Sequence, residues 1–302
     1  MSAQQVEANG VRIQVEDSGG DGEPLMLIMG LGGQLIHWPP DFVDALVQGG
    51  HRVIRIDNRD AGLSQHLPEL GVPNIALAGL QRALGAAARP PYTLQDMAQD
   101  AFGVLDALAI PRAHVVGLSM GGMIAQRMAI AAPERCATLT SIMSSSGARG
   151  LPNLQAKVLR VMLAKPRGHD TEAVVRYYLD FFRAVGSPAY PVPEPAMREL
   201  ILQTIARSYD PAGNLRQLAA ILADTTRADE LARVRCPTLV LHGDADPFVL
   251  IECGRDTARR IPGARFVAIE GAGHDLAPQV CQQLLRHVLP FLREHPLTHA
   301  PA

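Results

Sequence analysis

The chain has 302 residues, 47% of them hydrophobic and 19% charged, which supports a large core and excludes global disorder. Lys and Arg total 28 against 30 Asp and Glu, a net charge of −2, so no dedicated nucleic-acid binder with a basic face is expected. All the cations except Lys157 and Lys165 are arginines.

The four cysteines, Cys136, Cys236, Cys253 and Cys281, form no C-x-x-C pair, so no zinc ribbon or thioredoxin-like motif is expected. A chain this long does not need disulfides, and reduced, buried thiols are the expectation. The first ten residues are polar and acidic, without the basic and apolar regions of a secretory signal. No apolar run reaches about 18 residues, the length of a membrane span. The expectation is a cytoplasmic protein with no membrane or nucleic-acid partner, as a monomer or homodimer.

In chain order, residues 11–16 read as a strand. Residues 25–29 read as a buried strand ending in Gly30-Leu31-Gly32-Gly33. A helical stretch at 41–48 stops at Gly49-Gly50, and 52–56 is the next strand. Residues 65–92 have weak periodicity with several Pro and Gly and read as a surface excursion. A helix at 93–108 takes Thr93 as its N-cap. A short β run at 113–118 precedes a helical run at 119–132, and 137–143 is another strand. The pattern then changes. Four helical stretches, near 154–165, 171–185, 194–208 and 213–224, follow without a convincing strand. Strands resume at 238–242 and 265–269, a terminal helix covers 277–294, and 295–302 reads as a frayed tail.

Alternating β and α elements imply an α/β fold with a mainly parallel sheet flanked by helices. The helical block reads as an insertion. The expected division is a core domain of 1–147 and 234–302 with a helical cap, or lid, of 148–233.

Gly117-Leu118-Ser119-Met120-Gly121 is a G-x-S-x-G pattern between a strand and a helix. A serine on so sharp a turn is lifted above the sheet edge, with the positive end of the helix beneath the reacting oxygen. A serine there is also an ordinary helix N-cap, so the downstream partners decide. A hydroxyl is a weak nucleophile and needs a base. Of the ten histidines, His51 and His114 sit at strand starts and His295 and His299 in the tail. His274 lies in Glu270-Gly271-Ala272-Gly273-His274-Asp275, where glycines let the loop fold back over the sheet edge. The acid that orients such a base is Asp244 or Asp246, in the loop after the 238–242 strand. The chain order Ser, Asp, His is that of this fold type.

These segments, with His114-Val115-Val116, His242-Gly243-Asp244-Ala245-Asp246-Pro247 and Asp57-Asn58-Arg59-Asp60-Ala61-Gly62-Leu63-Ser64, resemble the α/β-hydrolase family, and within it bacterial carboxylesterases. The narrower resemblance is to the aclacinomycin methylesterase-like group. It covers about residues 5–294 and is loose in the cap. It implies a catalytic triad of Ser119, Asp246 and His274, with Asp246 preferred over Asp244 by the family's spacing. It further implies an oxyanion hole from the backbone amides of Met120 and Leu31. The early loop reads Met29-Gly30-Leu31, so Met29 stands where the family usually has histidine; the donor is a backbone amide, so the role carries over. Arg59 and Asp60 are expected to brace neighbouring loops.

Gly30–Gly33 lacks the spacing and the following Lys of a phosphate-binding loop. The expected activity is hydrolysis of small to medium apolar carboxylic esters, with neither metal nor organic cofactor. An apolar pocket is expected from Met29, Trp38 and Met143, with Met162, Phe181 and Phe182 from the cap. Trp38 suits a pocket wall and plain packing equally. The rival activities on the same triad are carbon–carbon bond hydrolysis, which needs cations such as Arg160 and Arg176 facing an acidic substrate, and cofactor-free perhydrolysis. A non-catalytic ligand-binding protein on this fold usually lacks a triad member, and all three are present.

Overall fold

The computed structural model describes residues 1–297 except 85–88, 165, 167 and 169. The chain opens with a hairpin of β1 (Ser2–Ala8) and β2 (Val11–Asp17). Asn9 and Gly10 form its turn with φ of 50° and 77°, the left-handed pair that a two-residue hairpin turn demands. β3 (Glu23–Ile28), α1 (Pro40–Gln48) and β4 (His51–Ile56) follow. Next come α2 (Ile75–Leu84), α3 (Leu94–Ala107), β5 (Ala113–Leu118), α4 (Met120–Ala131) and β6 (Cys136–Ile142).

The helical block contains α5 (Ala156–Leu163), α6 (Thr171–Val185), α7 (Glu194–Arg207), α8 (Pro211–Ala223) and the single turn α9 (Arg227–Glu230). The chain closes with β7 (Thr238–Gly243), α10 (Ile251–Arg260), β8 (Arg265–Ile269) and α11 (Pro278–Glu294).

The described strands form one eight-stranded sheet in the order β1-β2-β4-β3-β5-β6-β7-β8. β1 and β2 pair antiparallel, β2 meets β4 antiparallel, and every later pairing is parallel. One face packs against α3 and α4 through residues such as Met97, Ala101, Ile124 and Met128. The other packs against α1 and α11 through Phe42, Leu46, Leu284 and Val288. Burial on both faces explains why β5, His114 apart, and β6 read as runs of apolar or small residues. Helices α5–α8 lie between β6 and β7 in the chain and are consistent with a cap.

Two elements differ from the sequence reading. β1 occupies the polar N-terminus, where its residues are mostly exposed and show no alternation of burial. The excursion at 65–92 contains α2, whose only buried residue is Ala78 and which packs against α8. β1 is an edge strand without alternation to read, and α2 is a surface helix whose leucines Leu77, Leu80 and Leu84 are exposed. Thr93 does cap α3: its hydroxyl accepts from the Asp96 amide at 3.1 Å, and the Asp96 carboxylate accepts from the Thr93 amide at 2.8 Å. The four cysteines are unpaired and buried. The tail lies outside the described residues from 298 onward.

Buried arginines fasten the helical block to the sheet. Arg216 of α8 donates to both carboxylate oxygens of Asp60, at 2.7 and 2.8 Å, and neither side chain is more than 1% exposed. Gln217 accepts from the Gly32 amide at 2.8 Å and donates to the Arg59 carbonyl at 2.7 Å. Arg59 itself pairs with Asp100 and lies over the Tyr92 ring. The Asp57–Ser64 loop therefore braces its neighbours, and through Asp60 it also anchors α8.

Candidate active site

Every element of the candidate site leaves the carboxyl end of a parallel strand, the edge where open α/β sheets hold their ligands. Ser119 follows β5 directly and has φ 56° and ψ −119°, a conformation non-glycine residues rarely adopt. Its backbone is held from two sides. The Ser119 amide donates to the Ile142 carbonyl at 2.8 Å, and Ser144 Oγ donates to the Ser119 carbonyl at 2.7 Å. The flanking glycines have a steric cause. A Cβ on Gly117 would collide with the Gly121 carbonyl, and one on Gly121 with the Ile28 carbonyl. The close crossing of strand and helix thus selects glycine at both positions.

The loop after β8 brings His274 to the serine: Nε2 lies 3.0 Å from Ser119 Oγ. On the other side of the ring, Nδ1 lies 2.7 Å from Asp246 Oδ2. The Asp246 side chain is fully buried, and its Oδ1 accepts from the amides of Phe248 and Val249, each at 2.9 Å. A carboxylate fixed by two amides leaves one oxygen for the imidazole. Asp244 does something else. Its Oδ1 accepts from the Gly271 amide at 2.7 Å, which ties the β7 loop to the β8 loop.

Gly30 crosses directly beside the serine, where an added Cβ would sit 3.1 Å from Ser119 Cβ. The Leu31 amide follows this crossing, and the Met120 amide opens α4. Among the described residues neither amide donates to a backbone acceptor. The Gly30–Gly33 loop is closed by the Gly33 amide donating to the Gly30 carbonyl at 3.0 Å.

Of the expected pocket residues, Met29 is 3% exposed and Trp38 and Met143 are fully buried, whereas Leu31, expected as an oxyanion donor, is partly exposed. Trp38 stacks on Phe42 with ring centroids 5.4 Å apart, in the same apolar cluster as Met29 and Met143. Phe248, which the sequence reading did not single out, meets the His274 ring edge-on at 4.9 Å. Phe181 of α6 meets Phe248 at 5.8 Å and Phe182 at 5.8 Å. An aromatic path thus runs from α6 to the histidine. Phe248 lies two residues past Asp246, which is the one cue the sequence offered.

A second set of contacts was also illegible. The His274 amide donates to the Val185 carbonyl at 2.7 Å, and the Gly273 amide donates to Ser187 Oγ at 2.8 Å. Ser187 in turn donates to Asp275, from its hydroxyl at 2.6 Å and its amide at 2.8 Å. Gly273 has no room for a side chain, because a Cβ there would lie 2.5 Å from the Gly186 and Val185 backbone. Arg160 and Arg176 are both exposed, and Arg176 pairs with Glu172 on its own helix.

A family model of the alpha/beta hydrolase fold matches residues 23–278. The chain is 33% identical over 282 residues to a rhodomycin D methylesterase, DauP, of Streptomyces sp. (strain C5), covering 86% of this chain and 88% of that one. Among solved structures it is similar to the enol-lactonase of Burkholderia xenovorans LB400, with a TM-score of 0.70 and 24% identity over 96% of this chain and all of that one. It is also similar to the meta-cleavage product hydrolase CumD of Pseudomonas fluorescens IP01, with a TM-score of 0.73 and 19% identity over 97% of this chain and 98% of that one. These two structural likenesses bear on the fold alone.

Proposed function

Since the chain belongs to the alpha/beta hydrolase family, we propose that it is a serine carboxylesterase acting on small to medium apolar esters. The observation that carries this reading is the hydrogen-bonded line from Ser119 through His274 to Asp246, with the Leu31 and Met120 amides beside it.

His274 takes the Ser119 proton as Oγ attacks the ester carbonyl. Asp246 holds the ring with Nδ1–H toward its carboxylate and stabilises the imidazolium. The carbonyl oxygen becomes an oxyanion between the Leu31 and Met120 amides, where each donor is worth about 3 kcal/mol of barrier. His274 then gives its proton to the departing alcohol. Water, activated by the same histidine, cleaves the acyl-enzyme and restores Ser119. This chemistry needs no cofactor.

In this reading Leu31 and Phe248 line the acyl site, Met29 and Met143 support it from below, and Trp38 packs behind Met29. The helices of residues 148–233 form the cap. The relation to a methylesterase favours a substrate whose alcohol is small, such as a methyl ester. For the carbon–carbon hydrolase alternative, Arg160 and Arg176 are poor candidates to hold an acidic substrate, because both face solvent.

The test is hydrolysis of p-nitrophenyl esters of increasing acyl length, with methyl esters of the same acids. Turnover of short acyl chains, abolished in Ser119→Ala, supports the reading. Cleavage of an acidic dienone with no turnover of any ester would replace it with the carbon–carbon hydrolase.

A further inference from the structure

The opposite edge of the sheet carries a second cluster of chemically capable side chains. Glu23 begins β3, His51 begins β4 and His114 is the second residue of β5. These strands are neighbours in the order β4-β3-β5, and Glu23 and His51 are register partners. One ligating atom from each of the three residues lies within 4.8 Å of the others.

The histidines are unusual. His51 is only 5% exposed, yet neither of its ring nitrogens makes a well-formed hydrogen bond among the described residues, the Glu23 backbone being placed for a weak one only. A buried polar group left unpaired costs stability, so this ring calls for a partner. His114 is fully buried, with Nδ1 2.9 Å from Thr138 Oγ1 and Nε2 3.3 Å from Glu23 Oε2. Thr138 can thereby hold the Nδ1–H tautomer that leaves the Nε2 lone pair facing Glu23, an outer contact typical of metal-bound histidine. Glu23 is itself fixed, its Oε1 accepting from the Leu297 amide at 2.8 Å.

We propose that Glu23, His51 and His114 bind a divalent transition-metal ion of the zinc class. Two imidazole nitrogens and one carboxylate oxygen are a donor set that zinc accepts, with water as fourth ligand. Zinc sits about 2.0–2.1 Å from such donors, which places ligand atoms about 3.4 Å apart in a tetrahedron. The three ligand atoms, now within 4.8 Å of one another, would close to that size around the ion. Arg112 acts on His114 against a cation, and the Glu23 carboxylate offsets it.

The other cluster of this kind among the described residues, Asp60, His66 and Asp210, already holds a cation, because the Arg216 guanidinium bonds both carboxylates. At the Glu23 site a metal would staple the starts of three adjacent strands. Its role is stability, away from the Ser119 edge.

The experiment is titration of chelator-treated protein with Zn²⁺ by calorimetry and thermal melting, with Co²⁺ as the spectroscopic probe of coordination. The expected result is one ion per chain with the absorption of tetrahedral cobalt. The melting temperature should rise by about 5 °C at a 100-fold excess over Kd. His51→Gln and Glu23→Gln, which avoid the fully buried His114, should each weaken binding at least about tenfold. Absence of binding overturns the proposal. So does an affinity in both variants equal to that of the unmodified protein, which would put the metal on other side chains.

Discussion

The backbone amide of His274 is bonded to the Val185 carbonyl, the last residue of α6, at 2.7 Å. The proposed base is therefore attached to the helical block as well as to the sheet. Ser187 reinforces this attachment by accepting from Gly273 and donating to Asp275. In the proposed mechanism Ser187 is then a positioning residue. Ser187→Ala removes two hydrogen bonds to the loop and should lower kcat about tenfold with little change in KM. Steady-state kinetics with a pH profile check this. An unchanged kcat would show that the loop holds its shape without the Ser187 hydroxyl.

Asp246 and Asp244 lie two residues apart and make different contacts. Asp246→Asn leaves the geometry but disturbs the histidine tautomer, and kcat should fall about 10³- to 10⁴-fold. Asp244→Asn weakens one inter-loop bond and should keep kcat within about tenfold. The comparison of the two rates is the check.

Gly121 has no space for a methyl group against the Ile28 carbonyl. Gly121→Ala should therefore cost stability and soluble yield as well as activity, because α4 must move away from β3. A melting curve that matches the wild type would contradict this account of the turn.

Asp224 lies between Arg127 and Arg227 and bonds both. Burial alone would raise its pKa, but the two guanidiniums hold it below the usual carboxylate value. Its contribution is present above the unfolded pKa of about 3.9 and is lost as pH falls through the lower folded value. Asp224→Asn leaves the buried Arg227 without its partner charge and should cost about 3–5 kcal/mol, measured by urea unfolding at pH 7.

His37 gives a pH dependence in a higher window. Burial, and then Arg207, lower its pKa to about 4. Arg207 is in turn paired with Asp57 at 2.8 Å. The ring accepts from the Gln34 amide at Nδ1, so Nε2–H is free to donate to Thr204 Oγ1, at 2.8 Å. The Thr204 hydroxyl already donates to the Leu200 carbonyl. A proton on Nδ1 would face a donor. The unfolded chain binds that proton near pH 6.5 and the folded chain near 4, so stability falls as pH drops between those values. Urea midpoints across this range should show a steeper decline in the wild type than in His37→Gln.

The site was more legible in the sequence than its supports. Gly117, Ser119 and Gly121 lie within five residues, and the sharp turn that unites them is local. His274 and Asp246 were readable because each follows a strand closely, in a glycine-rich or aspartate-rich loop. The choice between Asp244 and Asp246 needed family spacing, because both side chains reach backbone amides equally well on paper. The Arg216–Asp60 pair joins residues 156 apart in the chain, and an arginine on a helix reads as a surface charge until its partner is known. Ser187 and Phe248 carry no pattern of their own. β1 was missed because an exposed polar strand lacks alternation, although Asn9-Gly10 was a usable hairpin signal. Trp38 could be read two ways, and in the structure its buried ring stacks on Phe42.

The most direct measurement is mass spectrometry of the intact protein and its peptides after exposure to an organophosphate ester. The account predicts one adduct per chain, on Ser119, formed far more slowly in His274→Ala. An unlabelled chain, or an adduct on another residue, would contradict the assignment of Ser119 as an activated nucleophile.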